Sequence, residues 1–491
     1  MEKFRLYIGG QFCDAEKGAT FESIDPSTEK PWALMPRASA QDTDRAVRAA
    51  WGAFTSGPWP AMAASARGRL LYKLADLVAR DAPVMAELET RDTGKIIRET
   101  KAQIGYAAEY YRYFAGLADK IEGAVLPIDK PDMEVYTRRE PLGVVAAIVP
   151  WNSQLFLSAV KLGPALAAGN CVVLKASEDG PAPLLHFAKL IDEAGFPNGV
   201  VNVLTGFGED CGASLASHPL VSRVAFTGGP ATARHIVRHT ANNFAVTTLE
   251  LGGKSPVIVF PDANLDSATN AIVAGIFGAT GQSCVAGSRL LVHESIRDSL
   301  LSRLAARAPQ IIIGPPLDPA TEMGPLATRK QKEEAERLIA ESIKGGARLV
   351  TGGGPPENQP KGYFFAPTVL EAPHPGLPCV QQEFFAPVLS VLSFSNENYA
   401  VELANGTDYG FAAGVFSTNL ALVHRMVKRL RAGIVWINTY RAVSPMAPFG
   451  GFGKTGHGRE AGMDAIWDYT RSKTVWINTS DTPMSDPFIM R

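Results

Sequence analysis

Apolar runs alternate with amphipathic stretches through the middle of the chain. The runs are continuous, which is typical of strands buried on both faces of a sheet. These predicted strands are residues 143–149, 170–175, 200–206 and 223–228. The stretches between them carry apolar residues at helical spacing and predict helices at residues 153–168, 181–194 and 208–216. Strands joined by helices predict a parallel sheet, which binds ligands at the carboxyl ends of its strands.

The segments on either side extend this pattern. Before residue 122, short strands at 5–12 and 20–24 precede amphipathic helices at 40–54, 64–97 and 103–121. The second half repeats the alternation and predicts a second α/β domain. Its predicted strands are residues 257–260, 290–293, 364–370, 388–394, 413–417 and 433–438, and its predicted helices are residues 265–278, 330–344 and 420–430.

Two extended segments fit neither predicted sheet. Residues 122–140 are polar and contain proline, and their alternating part at 134–139 could form a hairpin that leaves the main body. Residues 473–478 form an isolated alternating strand near the end of the chain. Because an unpaired strand is unstable alone, we expect it to pair with 134–139 or with another subunit.

Composition narrows the class of protein. A chain of 491 residues is long enough for two or three domains, and a net charge of −1 does not support a nucleic-acid or membrane-surface protein. Five cysteines without a CxxC pair predict reduced thiols and a cytoplasmic location. We expect no signal peptide or membrane span, because no apolar run is long enough. The eight histidines lack metal-ligand spacing, which predicts no catalytic metal.

Cys284 is the candidate nucleophile. It lies among small residues at 281–289, which leave a side chain accessible, and a thiolate is reactive when a base or the surroundings stabilise it. A lone cysteine in such a run is more often a buried, unreactive side chain. Glu250 and Asn152 each end an apolar run, and a thiol, a carboxylate and an amide donor at such junctions favour an acyl-forming site.

Glycines follow two of the predicted strands, at 206–212 and 226–229. They would allow a phosphate to approach the backbone, although neither stretch is a GxGxxG motif and glycine also simply ends strands. Lys175 and Glu178 end another strand and could bind ribose hydroxyls. Such a site would favour NAD over NADP. The alternative is that the two side chains form an exposed ion pair. Glu383 could hold a second ribose or belong to a structural turn.

Seven motifs occur together over nearly the whole chain. They are Pro150-Trp-Asn152, Lys175-Ala-Ser-Glu178, Phe226-Thr-Gly228, Glu250-Leu-Gly-Gly-Lys-Ser-Pro256, Gly281-Gln-Ser-Cys284, Glu383-Phe-Phe385 and Pro448-Phe-Gly-Gly451. In this order and spacing they resemble the aldehyde dehydrogenase superfamily. The resemblance implies an α/β protein with a Rossmann-like NAD-binding domain (1–121 and 141–251), a catalytic domain (252–453) and a small β oligomerisation segment (122–140 and 470–491). It also implies a homodimer or homotetramer.

The resemblance implies roles for individual residues. Cys284 would attack the aldehyde carbon, the Asn152 amide would stabilise the oxyanion, and Glu250 would activate the water that releases the acid. Lys161 would lie near the nicotinamide ribose, a solvated helix lysine being the alternative. The cofactor is NAD, with NADP as the alternative. Its implied contacts are Trp151, Lys175, Ser177, Glu178, Gly208, Gly212, Phe226, Thr227, Gly228, Gly229, Leu251, Gly252, Glu383 and Phe385.

The implied acyl pocket points to a substrate class. Its residues are Phe156, Leu157, Val160, Ser283, Val285, Arg441 and Val443. Val160 and Val443 stand where the family often has bulky aromatics, which implies a roomier pocket. Arg441 could meet a carboxylate on the substrate or be a solvated loop side chain. We hypothesise a medium-sized, partly polar or cyclic aldehyde.

The chain departs from the family pattern at Gly229, where many members have serine, and at Ala176 and Ala386. Two other functions stay open. The acyl group could pass to coenzyme A, although Glu250 argues against this because a thiol needs no water-activating base. The protein could also be a catalytically silent binding member of the fold, against which the intact Cys284, Glu250 and Asn152 argue.

Overall fold

The protein is described by a computed structural model that covers residues 1–359 and 361–489. Helices and strands alternate along it, as the sequence predicts. The α-helices, in chain order, are α1 (Ala40–Thr55), α2 (Ala64–Thr93), α3 (Ile97–Leu117), α4 (Gln154–Ala167), α5 (Ala182–Ala194), α6 (Ala213–Ser217), α7 (Pro230–Thr240), α8 (Leu265–Ile276), α9 (Arg297–Arg307), α10 (Arg329–Lys344), α11 (Pro378–Gln381), α12 (Glu397–Asn405), α13 (Leu420–Arg429) and α14 (Gly462–Asp468).

The strands are short, and most belong to two sheets. In chain order they are β1 (Glu2–Lys3), β2 (Leu6–Ile8), β3 (Gln11–Cys13), β4 (Thr20–Asp25), β5 (Lys30–Pro36), β6 (Met133–Pro141), β7 (Val144–Ile148), β8 (Cys171–Ala176), β9 (Val201–Thr205), β10 (Val221–Thr227), β11 (Val246–Glu250), β12 (Pro256–Val259), β13 (Arg289–His293), β14 (Arg348–Thr351), β15 (Thr368–Glu371), β16 (Val388–Phe394), β17 (Tyr409–Gly410), β18 (Ala412–Phe416), β19 (Ile434–Ile437), β20 (Phe452–Gly453), β21 (Gly456–His457) and β22 (Thr470–Asn478).

The first sheet has the order β21-β11-β10-β7-β8-β9-β2-β3 within the described residues. Its inner strands from β11 to β9 are parallel, and antiparallel strands close both edges. Every residue of β7, β8 and β9 is buried, in accordance with their continuous apolar sequences. The chain continues from β7 to β8 on one side and later returns to β10 on the other. A ligand-binding crevice is expected at such a reversal.

The second sheet has the order β14-β15-β16-β13-β12-β18-β19 and is parallel from β15 to β19. Side chains alternate between its faces: Val257 and Val259 enter one core cluster, and Ile258 enters the other. Fully burying a large apolar side chain contributes about 1.5–3 kcal/mol to stability. The mixed α/β fold class predicted from the sequence is confirmed.

The two extended segments that fit neither predicted sheet pair with each other. β22 runs antiparallel to β6, from Thr470 opposite Pro141 to Asn478 opposite Met133. The expected pairing of 473–478 with 134–139 is therefore confirmed. No helix in the described part of the chain is both long and apolar enough to cross a membrane.

Some helix boundaries differ from the sequence-based expectation. The predicted helix 64–97 is wrong at its end, because Gly94 adopts a left-handed conformation (φ 75°) and terminates α2 at Thr93. α3 then begins at Ile97 rather than at residue 103. Four further elements, β5, α7, α9 and α12, were not predicted from the sequence. In α7 only Ala233, Ile236 and Thr240 are buried, which leaves a weak periodic signal.

Candidate active site

Cys284 follows a sharp turn and precedes β13. Ala279 and Thr280 have left-handed backbone angles (φ 53° and 54°), which cost non-glycine residues about 1–2 kcal/mol each. Two contacts hold this turn: the backbone N–H of Ala279 donates to Glu99 Oε1 at 2.8 Å, and the Thr280 hydroxyl donates to the carbonyl of Gly324 at 3.2 Å. The thiol that follows is half-buried. The fold therefore holds a strained turn directly before Cys284.

Glu250 ends β11 and is buried. Neither carboxylate oxygen has a hydrogen-bond partner among the described residues, which is costly for a buried polar group. Burial, and then the charge of Glu460, raise the pKa of Glu250 well above its usual value. Gly450 lies so close that a Cβ there would be 2.6 Å from Glu250 Oε1. Such a carboxylate can accept a proton from a bound water or substrate.

The Asn152 amide lies beside the turn that carries the nucleophile. Its Nδ2 donates to the carbonyl of Gln282 at 3.0 Å, two residues before Cys284. An amide nitrogen carries two N–H groups, so one of them remains to donate to a ligand. The structure thus brings Asn152 and Cys284, which are far apart in sequence, to one place.

The electrostatics of the site favour the neutral thiol. Burial raises the pKa of Cys284 to about 12, and the charges of Glu250 and Glu383 act in the same direction. Because only the thiolate is strongly nucleophilic, Cys284 needs a base or a nearby positive charge to react.

Lys161 is fully buried on α4, so it is not the solvated helix lysine considered as an alternative. Its Nζ forms an ion pair with Glu460 and donates to the Thr227 hydroxyl at 2.7 Å. Thr227 was predicted to contact the cofactor, and in the structure its side chain bonds to Lys161. The ion pair lies next to Glu250. The charge of Glu460 raises the pKa of Glu250, and the charge of Lys161 lowers it.

A cleft of about 700 Å³ lies at the carboxyl ends of β7, β8, β9 and β10. It contains most of the predicted cofactor contacts. These are Trp151, Lys175, Ser177, Glu178, Gly208, Gly212, Phe226, Gly228 and Gly229. The far wall comes from α6 and α7, including Thr232, His235 and His239, which the sequence analysis did not identify.

The residues of this cleft fit a dinucleotide. Gly229 caps the N-terminus of α7, and a Cβ there would meet no atom within 4 Å. Open space at a helix N-terminus suits a phosphate, which accepts hydrogen bonds from the free N–H groups. Lys175 Nζ lies 3.0 Å from Glu178 Oε2, and this carboxylate at the cleft can accept hydrogen bonds from ribose hydroxyls.

The remaining predicted cofactor contacts, Thr227, Leu251, Gly252, Glu383 and Phe385, lie outside the lining of the cleft. Glu383 Oε1 accepts from the backbone N–H of Gly253 at 2.8 Å, and burial raises its pKa to about 7. The Phe385 ring meets the Trp151 ring edge-on at 5.5 Å. A Cβ on Gly253 would be 2.6 Å from the carbonyl oxygen of Cys284. Glu383, Phe385 and Gly253 therefore connect the cleft to the nucleophile.

The predicted acyl-pocket residues fall into buried and accessible sets. Leu157, Val160 and Val285 are buried in apolar clusters, and Ser283 is half-buried. Phe156 stacks on Tyr106 with ring centroids 6.4 Å apart.

The other two pocket residues lie on the loop before Pro448. Tyr106 donates from its hydroxyl to the carbonyl of Val443 at 2.8 Å. Arg441 is half-buried, has a left-handed backbone (φ 64°) and donates from Nη1 to the carbonyl of Ala274 at 2.9 Å.

A buried polar cluster behind Asn152 was not predicted from the sequence. Lys95 Nζ donates to the carbonyl of Asn152, to Ser153 Oγ at 2.8 Å and to Gln103 Oε1 at 2.8 Å, and it lies 3.5 Å from Glu89 Oε1. Lys95 is 57 residues from Asn152 in the chain, and no local pattern signals this contact.

Within the described ranges, no group of three or more His, Cys, Asp or Glu could hold a metal ion.

Known proteins share this architecture. A model of the aldehyde dehydrogenase family matches residues 12–475. The chain is 59% identical, over the full length of both, to the (Z)-2-((N-methylformamido)methylene)-5-hydroxybutyrolactone dehydrogenase of Acinetobacter baylyi. It is 42% identical to a Bacillus cereus aldehyde dehydrogenase solved with NAD⁺, with a TM-score of 0.96 over 98% of this chain and 97% of that one.

A Staphylococcus aureus betaine aldehyde dehydrogenase, also solved with NAD⁺, is 36% identical and superposes with a TM-score of 0.97 over 99% of this chain and 96% of that one. The family oxidises aldehydes to carboxylic acids, and these matches extend over nearly the whole chain. The protein therefore belongs to the aldehyde dehydrogenase family, whose members are NAD(P)-dependent oxidoreductases.

Proposed function

We propose that the protein oxidises its aldehyde through covalent catalysis by Cys284 and releases the acid by hydrolysis. Cys284 reacts as the thiolate after its proton has passed to solvent: Sγ bonds to the aldehyde carbon and gives the anion of a thiohemiacetal, which becomes a thioester once the hydride has left. Bound NAD⁺ supplies the acceptor for that hydride. The observation that carries the proposal is Glu250, a buried carboxylate without a hydrogen-bond partner in the described part of the chain, which lies close enough to Cys284 for its charge to raise the pKa of that thiol.

The oxyanion formed on attack needs hydrogen-bond donors. We assign the free N–H of the Asn152 amide and the backbone N–H of Cys284 to this role. Each such donor contributes on the order of 3 kcal/mol to transition-state stabilisation. The Asn152–Gln282 hydrogen bond supports this, because it holds the amide beside the turn that carries the thiol.

Glu250 is the base that we assign to hydrolysis. Water attacks the thioester carbon, Glu250 takes one proton from that water, and the C–S bond breaks to free the acid and Cys284. A raised pKa suits this role, because a base is most effective when its pKa lies near the working pH.

Product analysis with and without coenzyme A tests the hydrolytic assignment. We expect free acid and one NADH per aldehyde in both cases, with an unchanged rate. Formation of an acyl-coenzyme A would contradict hydrolysis and favour acyl transfer. The same assay across an aldehyde panel, with NAD and NADP in parallel, shows which cofactor the cleft prefers; Glu178 at the cleft supports NAD.

The substrate class that we propose is an aldehyde that also carries a carboxylate. The Acinetobacter relative is named for a 5-hydroxybutyrolactone. A lactone with a hydroxyl on that ring carbon is the closed form of an aldehyde with a carboxylic acid at its other end. Arg441 supports this class: among residues 1–359 and 361–489, no carboxylate lies within 4.0 Å of its guanidinium, although the side chain is half-buried.

The substrate proposal is tested by comparing R441Q with the unchanged protein on a matched pair of aldehydes, one with a terminal carboxylate and one with a methyl ester. We expect R441Q to raise KM about tenfold for the carboxylate, because an ion pair is lost, and to leave the ester unchanged. Equal effects on both aldehydes, or none on either, would contradict a role in carboxylate recognition. R441K is the matched control that keeps the charge.

We also propose a function for each segment of the chain. Residues 1–121 and 141–251 would bind NAD and 252–453 would supply the nucleophile, which the location of the seven-stranded sheet within 252–453 supports. The ribbon of β6 and β22 would join subunits of a homodimer or homotetramer. Trp476 on β22 is 55% exposed, which supports a covered position in an assembly. Light scattering of W476S should show smaller particles if this is correct.

The proposed location is the cytoplasm. All five cysteines are free thiols, which suits a reducing compartment.

A further inference from the structure

The buried cation behind Asn152 has no assigned role. Lys95 lies in the turn between α2 and α3, and only 5% of its side chain is exposed. Burying an ammonium is costly unless it is paired and hydrogen-bonded. Its carboxylate partner Glu89, at 3.5 Å, is equally buried, so the pair is not a surface ion pair that could be lost without consequence.

The contacts of Lys95 converge on one short segment. An ammonium has three N–H donors, and Lys95 directs them to the Asn152 carbonyl, the Ser153 hydroxyl and the Gln103 side chain. Two of these three acceptors belong to the residue that carries the proposed oxyanion donor and to its neighbour.

Asn152 is held from two sides. Lys95 holds its backbone carbonyl, and the carbonyl of Gln282 accepts from its amide at 3.0 Å. Gln282 is itself fixed, because its Oε1 accepts from the backbone N–H of Ala327 at 2.9 Å. The amide can therefore point at a substrate oxygen only in the direction that these two supports allow.

We propose that Lys95 is a positioning residue for the reaction: it fixes the Asn152 backbone and thereby aims the amide N–H at the developing oxyanion. The inference rests on the proposed function, in which Asn152 is that donor. A displacement of about 1 Å at a reacting group can lower a rate about 10²-fold, so a residue that touches no substrate can still govern the rate.

A double-mutant cycle separates this role from a merely structural one. K95M, N152A and the double variant are compared in two assays: aldehyde oxidation, and the NAD-free hydrolysis of an activated ester that acylates the same thiol. NAD affinity, measured by fluorescence, reports whether each variant keeps the fold of the cleft. K101M, which removes an exposed lysine from α3, is the matched control.

We expect K95M to lower kcat about 10- to 100-fold in both assays, with KM and NAD affinity within twofold. In the N152A background the same change should cost less than twofold, because the donor that Lys95 aims is already gone. K95Q keeps one N–H donor for the Asn152 carbonyl and should recover part of the loss. If K95M does not fold, K95Q is used for the same cycle.

Two results overturn the proposal in different ways. Equal losses from the Lys95 substitution with and without Asn152 would show that the lysine acts elsewhere, and the proposed function would stand. An N152A variant of unchanged rate would overturn both the oxyanion role of Asn152 and the positioning role of Lys95.

Discussion

The proposed dinucleotide cleft and the proposed reaction centre are neighbours, but they are built differently. The cleft is formed where successive parallel strands end, and its Lys175 and Glu178 side chains form an ion pair with each other. The reaction centre is assembled from distant segments. It contains Glu250, a buried carboxylate that has no hydrogen-bond partner within residues 1–359 and 361–489, and two left-handed residues, Ala279 and Thr280.

This difference has an energetic meaning. Strand ends offer binding groups in ordinary backbone conformations, so the cleft places little cost on folding. An unpartnered buried polar group costs about 1–3 kcal/mol, and more when it is charged. The apolar cores around the two sheets offset that cost. We therefore expect substitutions in the reaction centre to remove chemistry while the fold and the cleft persist.

The largest expected effect is that of C284A. Removing the nucleophile should lower turnover by about 10⁴-fold or more, while the dissociation constant for NAD changes less than twofold. Stopped-flow NADH formation and fluorescence titration measure the two quantities. C13S, at a half-buried thiol on β3, is the control and should keep full activity. An equal loss of NAD binding in C284A would contradict the separation of cleft and centre.

E250Q should have the next largest effect. Without the base, hydrolysis should slow about 10²- to 10³-fold, whereas thioester formation continues. A stoichiometric burst of NADH should then precede a slow steady state. Because Gln removes a buried charge that lacks a hydrogen-bond partner among the described residues, Tm should stay the same or rise. A lowered Tm, or a slow steady state without a burst, would count against this account of Glu250.

A bulky side chain in the cleft should weaken NAD binding and leave the chemistry of the reaction centre intact. G229L fills the open space at the N-terminus of α7, where we expect the phosphates, and should raise KM for NAD about 10- to 100-fold. NAD-free hydrolysis of an activated ester should be unaffected, because it needs only the reaction centre. A similar loss in both assays would mean that the two regions are not independent.

The smallest predicted effect concerns the Cys284 thiol. With a pKa of about 12, its alkylation by iodoacetamide should rise about tenfold per pH unit from pH 7 to 10. The Glu250 charge helps to raise this pKa, so E250Q should lower it and increase the alkylation rate at pH 8 several-fold. Peptide mass spectrometry distinguishes Cys284 from the other thiols. A rate that levels off below pH 9 would contradict the raised pKa.

The same contrast explains what the sequence could predict. The near wall of the cleft was predictable because its groups follow apolar strands such as β7 and β8, and strand ends meet at one edge of a parallel sheet. The far wall, on α6 and α7, was not predicted. Cys284, Glu250 and Asn152 were predicted as catalytic residues through motifs. The end of α2 was not predicted, because the left-handed conformation of Gly94 was not recognised as a helix stop.

The supports of the reaction centre could not be predicted in this way. Lys95 and Glu460 lie 57 and 299 residues from the groups that they contact, Asn152 and Lys161. Such contacts depend on how helices and loops pack, and no periodicity in the sequence reports them. A lysine in a turn between helices, or a glutamate in a glycine-rich loop, looks solvated until the packing is known.

The central claim is that Cys284 carries the acyl group and Glu250 releases it. The most direct test is to mix E250Q with aldehyde and NAD, stop the reaction in acid after the first turnover, and locate added mass by peptide mass spectrometry. We predict one acyl group per subunit on the peptide that contains Cys284, formed in step with the burst of NADH. NADH formed without any adduct on Cys284 would contradict the account.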